Sequence, residues 1–398
     1  MARKEKTPTW QIALLVAGML TTGTLNTLTT KIQFSQFSVD SAGHLKQFQK
    51  PWYGTFNMMF AMSLVGLIDM AFRRCRKGGG AAEEPLMEQK SRHSYAAKVW
   101  MVMVPAVFDL MATALCCVGM LYIPASVWQM LRGSSIVFCA VLSIAFLKRK
   151  MYAFNWIGLG MCCAGVSLVG LANVWGSARP GGDTSDQSNL VYGMSLVVLG
   201  QVVQAGQVIA EEFLMKDMDL PAMQVVGIEG YWGVAWMILI VYPLLYFLPG
   251  DDFGHMEDPV DTYTMVYNSF NLQCTVGLYL VSCGTFNATG IAVTGALSGI
   301  HRMMLDASRT IVIWAFGLMV HYCIDPHSLF GEVWTDYSPL QLVGFLVIVL
   351  GQATYGEVLK VPGLKYPLPL ASPGPMDAAM WASPGAAMNL CSPPPRRA

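Results

Sequence analysis

The sequence predicts an all-α membrane protein of ten transmembrane helices, built as a 5+5 inverted repeat with both termini in the cytoplasm. Three observations predict it. Ten apolar runs of about twenty residues fill the chain, basic residues cluster in alternate gaps between them, and five runs lie on either side of one polar break. At ~1.5 Å rise per residue, ~20 helical residues match the ~30 Å hydrocarbon core of a bilayer. The composition agrees, with 54% hydrophobic residues and only 13% charged.

In order, the runs are Trp10–Leu28, Tyr53–Phe72, Val99–Tyr122, Ser126–Leu147 and Trp156–Trp175, then Leu190–Met215, Val225–Leu248, Val276–Leu297, Met303–Tyr322 and Leu340–Val358. The first follows Arg3, Lys4 and Lys6 but is too long for a signal-peptide core. It also lacks a small-residue cleavage site, so it reads as an uncleaved helix. The basic residues fix orientation. Eighteen of the 25 Lys and Arg fall before the first run, in the second, fourth and sixth gaps, or after the last run. The odd gaps hold only Lys31, Lys46, Lys50 and Arg179, together with acids such as Asp251, Asp252, Glu257, Asp258 and Asp261. Positive residues stay cytoplasmic, so both termini are expected there.

The polar break defines the expected organisation: a first five-helix half over residues 1–177, a loop over 178–189 and a second half over 190–361. A Pro-rich cytoplasmic tail over 362–398 cannot bury a core and is expected to be disordered. Five helices per half turn the second half upside down relative to the first, the arrangement of many secondary transporters, whose sites lie near the midplane between repeats. A weak internal match supports this. Gln129-Met-Leu-Arg132-Gly-Ser-Ser in the fourth run parallels Met303-Met-Leu-Asp306-Ala-Ser-Arg309 in the ninth. Of the ten cysteines, Cys116, Cys117, Cys139, Cys162, Cys163 and Cys283 sit in apolar runs and read as small core residues, not a disulfide framework. There is no P-loop, HExxH or GxSxG, so no enzyme is expected, and no cofactor. The string His321-Tyr-Cys323-Ile-Asp325-Pro-His327 offers metal-ligand types, but Pro326 and a helix end interrupt it, and no metal site is expected.

Function is expected where charge enters the membrane. An ionised side chain at the bilayer centre costs at least ~3 kcal/mol on insertion scales, so it faces a partner or a wet cavity. The interior set is Asp109, Arg132, Glu229, Arg302, Asp306 and Arg309. Arg302, Asp306 and Arg309 share a helix face, and the spacing predicts an Arg302–Asp306 structural pair. Arg309 would then be left with uncompensated charge, suited to a bidentate phosphate or carboxylate. Asp109 and Arg132 lack same-helix partners and are expected to face one cavity. Gln201, Gln204 and Gln207 form a polar stripe leading to Glu211 and Glu212, which are placed near the cytoplasmic end in a solvated or capping role. The expected substrate-binding set is Asp109, Gln129, Arg132, Gln204, Gln207, Glu229, Asn287 and Arg309.

Ala125-Ser126-Val-Trp-Gln129-Met-Leu-Arg132-Gly133, Phe146-Leu-Lys-Arg149, Glu211-Glu212, Gly227-Ile-Glu229-Gly230 and Arg302-Met-Met-Leu-Asp306-Ala-Ser-Arg309 together carry a family resemblance. The chain resembles the drug/metabolite transporter superfamily, and within it the nucleotide-sugar-transporter-like solute carrier family 35, subfamily F. The resemblance spans residues 10–358 and implies ten helices, a 5+5 repeat, alternating access and residence in endomembranes such as lysosome, vacuole or Golgi. The Gly-rich second gap and the Pro-rich tail depart from that pattern.

The expected function is a secondary-active transporter or exchanger of a small polar, anionic solute. The alternative is a membrane scaffold or regulator on a transporter fold. The partners allowed are the lipid bilayer, a small-molecule substrate, a proton or counter-substrate and a second copy of the chain; nucleic acid is not among them. The charge asymmetry makes a prediction about topology. Cysteines introduced at Gly80 and Gly254 in a cysteine-depleted background label from opposite sides of the membrane, and same-side labelling would overturn the ten-helix arrangement.

Overall fold

A computed structural model describes residues 8–78, 95–120, 122, 131–148, 150–177, 187–216, 218, 220–250, 252–324, 333–360 and 362–363. Nine of the described helices overlie apolar runs over most of their length, and α4 overlies the later part of the fourth: α1 (Thr9–Ser35), α2 (Pro51–Gly78), α3 (Tyr95–Met120), α4 (Ser135–Leu147), α5 (Ala153–Ser177), α6 (Gln187–Lys216), α7 (Ala222–Phe247), α9 (Phe270–Ala296), α10 (Gly299–Ile324) and α11 (Ser338–Tyr355). An eleventh, α8 (Pro259–Asn268), is short. Among the described residues, nine helices are long and apolar enough to cross a membrane. The exception is α4. The run predicted over Ser126–Leu147 is helical from Ser135, after a turn at Gly133–Ser134, and most of its first part lies outside the described residues.

Many hydroxyls of these helices are satisfied locally. In α1 the hydroxyls of Thr22, Thr24, Thr27 and Thr30 donate to carbonyls four residues back, so these threonines need no partner from outside the helix. In α7 and α10, π-helical turns at Met237–Val241 and Val320–Ile324 carry the helix on without a break.

Helices pack most extensively as α5–α11, α3–α6, α1–α9 and α2–α7. In each pair, residue numbers rise along one helix as contacts fall along the other, so all four pairs are antiparallel. Gly158 meets Gly351 and Gly165 meets Gly344 between α5 and α11, while a Cβ on Gly66 of α2 would lie 2.5 Å from the Cα of Gly227 of α7. Lipid tails supply no hydrophobic drive between helices. Close backbone approach through small residues recovers the association by van der Waals contact instead.

A polar cap closes one face, at the α1–α2 and α7–α9 connections. Strands β1 (Phe37–Val39) and β2 (Leu45–Gln47) form a hairpin. Asp40 Oδ1 accepts from the amides of Ala42 and His44 within its turn, which also holds Gly43 at φ +86°. The hairpin docks on α8, with Ser41 N donating to Asp261 Oδ1 at 2.8 Å and Ser38 Oγ to the Met265 carbonyl at 2.5 Å. The Lys50 ammonium, 3% exposed, bonds to both Asp252 and Asp261. Glu257 caps α2 by accepting from the amides of Trp52 at 3.0 Å and Tyr53 at 2.8 Å. None of this cap was foreseen beyond the acidity of its loop.

The cap titrates in two opposite senses. Burial pushes the Glu257 carboxyl up to about 7, against the lowering effect of the two amides and Lys50. For Asp252, burial acts to raise the carboxyl, but the Asp258 amide and both lysines outweigh it and hold it below the usual carboxylate range. Lys50 and Ser41 do the same for Asp261. Folding therefore takes up a proton at Glu257 between an unfolded value of about 4.3 and the folded one. That contribution is complete below about 4.3 and disappears as pH rises through about 7. The aspartates contribute in the opposite sense, and theirs is lost only at still lower pH. Protection of the Trp52 and Tyr53 amides from hydrogen exchange, corrected for intrinsic rate, is expected to increase as pH falls from about 7.5 to about 5. Glu257→Gln should flatten that profile, and unchanged pH dependence in the variant would contradict the assignment.

Candidate functional site

A cavity of about 230 Å³ is lined by α1, α4 and the residues just before it, α5, α6, α10 and α11. Its charged wall is Arg132, just before the Gly133–Ser134 turn that precedes α4, with Asp306 and Arg309 on α10. Arg309 Nη2 lies 3.3 Å from Asp306 Oδ1, one helical turn away, and its guanidinium carbon sits 5.0 Å from the centroid of the Phe286 ring. A Cβ at Gly23 of α1 would come within 2.8 Å of Arg309 Cδ and of the Phe286 ring, so the glycine makes room for that stack. Arg309 Nε is buried and has no hydrogen-bond partner among the described residues. Gln201 and Gln204 of α6 and Thr310 of α10 add neutral polar groups. Trp314 and Phe345, their centroids 5.4 Å apart, belong to an apolar wall. Gln352 of α11 donates to the Met304 carbonyl and to Ser308 Oγ, each at 2.5 Å, fixing α10 against α11 below the cavity.

A second charged constellation lies apart from the cavity lining. The Arg302 guanidinium of α10 is paired with Glu211 Oε2 of α6. Gln207 Nε2 donates to Glu211 Oε1 at 3.0 Å and to Glu229 Oε1 of α7 at 3.1 Å. Asp109 of α3 is in electrostatic range of Glu211, Glu229 and Arg302. Glu211, Glu212 and Glu229 are each 0% exposed. Glu212 accepts from the Gly299 amide at 2.8 Å at the start of α10, and from Lys216 at 2.8 Å. A carboxylate there complements the positive end of that helix.

These placements correct several expectations. Arg302 pairs with Glu211, not Asp306, because α6 brings a carboxylate into its reach; Asp306 turns to Arg309 instead. Arg309 is consequently accompanied rather than uncompensated. Glu211 is fully buried and not solvated, although the capping role holds for Glu212. Asp109 does not share the cavity with Arg132. The glutamine stripe divides: steps of three residues fall ~60° short of a full turn, so from Gln201 to Gln207 the face rotates by about 120°. Gln201 and Gln204 reach the cavity, and Gln207 reaches Glu229. Asn287 donates to the carbonyl and sulfur of Cys283 on its own helix and does not line the cavity. Gln129, like Asp325 and His327 of the metal-like string, lies outside the described residues. Gln341, Thr310 and Trp314 were missed, since single polar or aromatic residues in apolar runs carry no distinguishing signal.

Comparison with known proteins shows the family to which the chain belongs. Residues 46–222 match the nucleotide-sugar transporter family model. Solute carrier family 35 member F6 of Rattus norvegicus is 30% identical over 352 residues, covering 86% of this chain and 88% of the relative. The chain belongs to solute carrier family 35. The Homo sapiens member F6 is likewise 30% identical, over 351 residues and the same shares of both chains, and an uncharacterized Schizosaccharomyces pombe protein is 31% identical over 269 residues, covering 67% of this chain and 76% of its own. A solved crystal structure superposes with a TM-score of 0.53 at 12% identity, over 87% of this chain and 97% of its own; that likeness concerns the fold alone. This solute carrier is a multi-pass membrane transporter and not an enzyme.

Proposed function

We propose that the chain carries a small anionic solute across an endomembrane by secondary-active alternating access, binding it between Arg132 and Arg309. The charge of the cavity carries this reading. Two arginines and one carboxylate, Asp306, line an open cavity among membrane-spanning helices, leaving it net positive when all three are ionised. A guanidinium is a planar donor suited to a carboxylate or phosphate, and the unpartnered Arg309 Nε is a donor still free for an acceptor. Gln201, Gln204 and Thr310 would orient the solute's neutral polar groups, while Trp314 and Phe345 would cover its body.

The alternating-access part rests on a reading of residues 1–177 and 190–361 as inverted repeats joined by 178–189 and followed by a tail over 362–398. Two observations support it. If α1–α5 correspond in order to α6, α7, α9, α10 and α11, then exchanging counterparts turns α3–α6 into α9–α1, α4–α6 into α10–α1 and α2–α9 into α7–α3, all of which are packed pairs. The pairs α2–α7 and α5–α11 turn into themselves. The cavity repeats the pattern, with Arg132, Gly133, Ser135 and Ile136 at one side and Asp306, Ala307, Arg309 and Thr310, spaced alike, at the other. A site on the axis between repeats is where rocking of one half against the other exposes it alternately to each face. With both termini cytoplasmic by charge asymmetry, the polar cap would lie on the lumenal face.

Uptake of a panel of organic anions into proteoliposomes tests the proposal. Arg309→Lys keeps the charge and loses the fork. It should weaken the transported anion roughly tenfold, about one charge-assisted hydrogen bond of ~1.5 kcal/mol, without loss of folded protein. Equal apparent affinity in both proteins, or transport of cations only, would contradict anion binding at this arginine.

A further inference from the structure

We propose that the buried constellation of Asp109, Glu211, Glu229 and Arg302 is a proton-binding site separate from the cavity, with the proton held on Glu229. Setting aside Asp306, which is paired with Arg309, three carboxyl groups lie in electrostatic range of one guanidinium, and Arg302 is in direct contact with one of them, Glu211. Fully ionised, the site would hold two uncompensated negative charges away from water, at a cost of several kcal/mol each. A proton on a carboxyl removes one such charge.

Hydrogen-bond accounting selects Glu229. Its Oε1 accepts from Gln207, but its Oε2, on a side chain 0% exposed, has no partner among the described residues. Gln207 Oε1 is also buried without a donor. Buried oxygens are normally answered by donors, and a proton on Glu229 supplies an O–H in a region short of one. Glu211 differs in taking the guanidinium on one oxygen and Gln207 on the other, the environment of a carboxylate that stays charged.

Among the described residues, Arg302 is the cation that the elements around Glu229 supply, and it is already paired with Glu211. From α3 comes Asp109, from α6 Glu211 and the neutral Gln207, and from α10 Arg302. From α9, Tyr279 and Cys283 reach the electrostatic field of Asp109. On α2, the Asp69–Arg73 pair is closed on itself at 2.7 Å and lines a different groove, beside Gln224 and Tyr231.

The site is mechanically joined to the cavity. Helix α6 carries Gln201 and Gln204 on the cavity and Gln207 and Glu211 in the constellation; α10 carries Asp306 and Arg309 on one and Arg302 in the other. Losing the Glu229 proton adds a charge that pulls on Arg302 and so on α10. This linkage to transport rests on the carrier reading above, whereas proton binding itself does not.

Infrared spectroscopy of the full chain in liposomes at about pH 8, above the Glu257 value of about 7, reads proton occupancy directly. A protonated-carboxyl stretch is expected in the wild type, lost in Glu229→Gln and retained in Asp109→Asn. Absence of the band in the wild type, its persistence in Glu229→Gln, or its loss only in Asp109→Asn overturns the assignment. Should Glu229→Gln fail to fold, a hydrophobic carbodiimide applied to the wild type decides: mass spectrometry finding the adduct on Glu229 supports the site, and an adduct elsewhere or nowhere overturns it. None of these readouts requires a transported solute, so failure of the anion-uptake assay leaves them intact. Where solute uptake is observed, loss of its pH-gradient dependence in Glu229→Gln is the expected sign of coupling, and unchanged dependence contradicts coupling alone.

Discussion

The pairing of Arg302 with Glu211 is the interaction on which the interior of the molecule depends. A guanidinium out of water is tolerated only beside a counter-charge, and an unpaired one costs several kcal/mol. Glu211 supplies that counter-charge from α6, binding the sixth helix to the start of α10. The Glu212 cap of α10 and the Lys216 bond to the Leu297 carbonyl reinforce the same junction. Because Arg302 is answered from α6, Asp306 is released to Arg309, and the cavity acquires its particular arrangement of two arginines and one carboxylate.

Glycine sets how closely these groups approach. Helices without a hydrophobic force between them hold together through contact area, which requires small residues at the crossings. The Gly66–Gly227 and Gly165–Gly344 crossings bring α2 to α7 and α5 to α11. At Gly23 and Gly290 the missing side chains instead leave space for Arg309 and Arg302, where a Cβ would fall 2.8 Å from Arg309 Cδ and 3.1 Å from Arg302 Nε. The same residue type thus serves packing and site, and polar function sits in the gaps that packing leaves.

The helices were legible in the sequence because each needs its own apolar run, a local property. The family was legible because Arg132-Gly133 and Arg302 through Arg309 are contiguous strings. Which charges meet was less legible, since that depends on helices far apart in the chain. Spacing of four on one helix suggested Arg302–Asp306, yet a flexible arginine is equally able to reach the neighbouring helix, and Glu211 was there. Position near a run's end made Glu211 look solvated, while packing of α10 over that end buried it. The cap was hidden for a related reason: Lys50, Asp252, Glu257 and Asp261 are distant in sequence, and their loops carry only ordinary polar composition.

The division of labour between the two arginines of α10 is open to direct measurement. Reversible unfolding in mixed micelles, run as double-mutant cycles on Arg302→Met with Glu211→Gln and on Arg302→Met with Asp306→Asn, gives the coupling energy of each pair. A coupling of about 3 kcal/mol is predicted for Arg302 with Glu211, and less than about 0.5 kcal/mol for Arg302 with Asp306. Strong coupling to Asp306 with additivity at Glu211 would contradict the arrangement, and would return Arg309 to an unaccompanied charge.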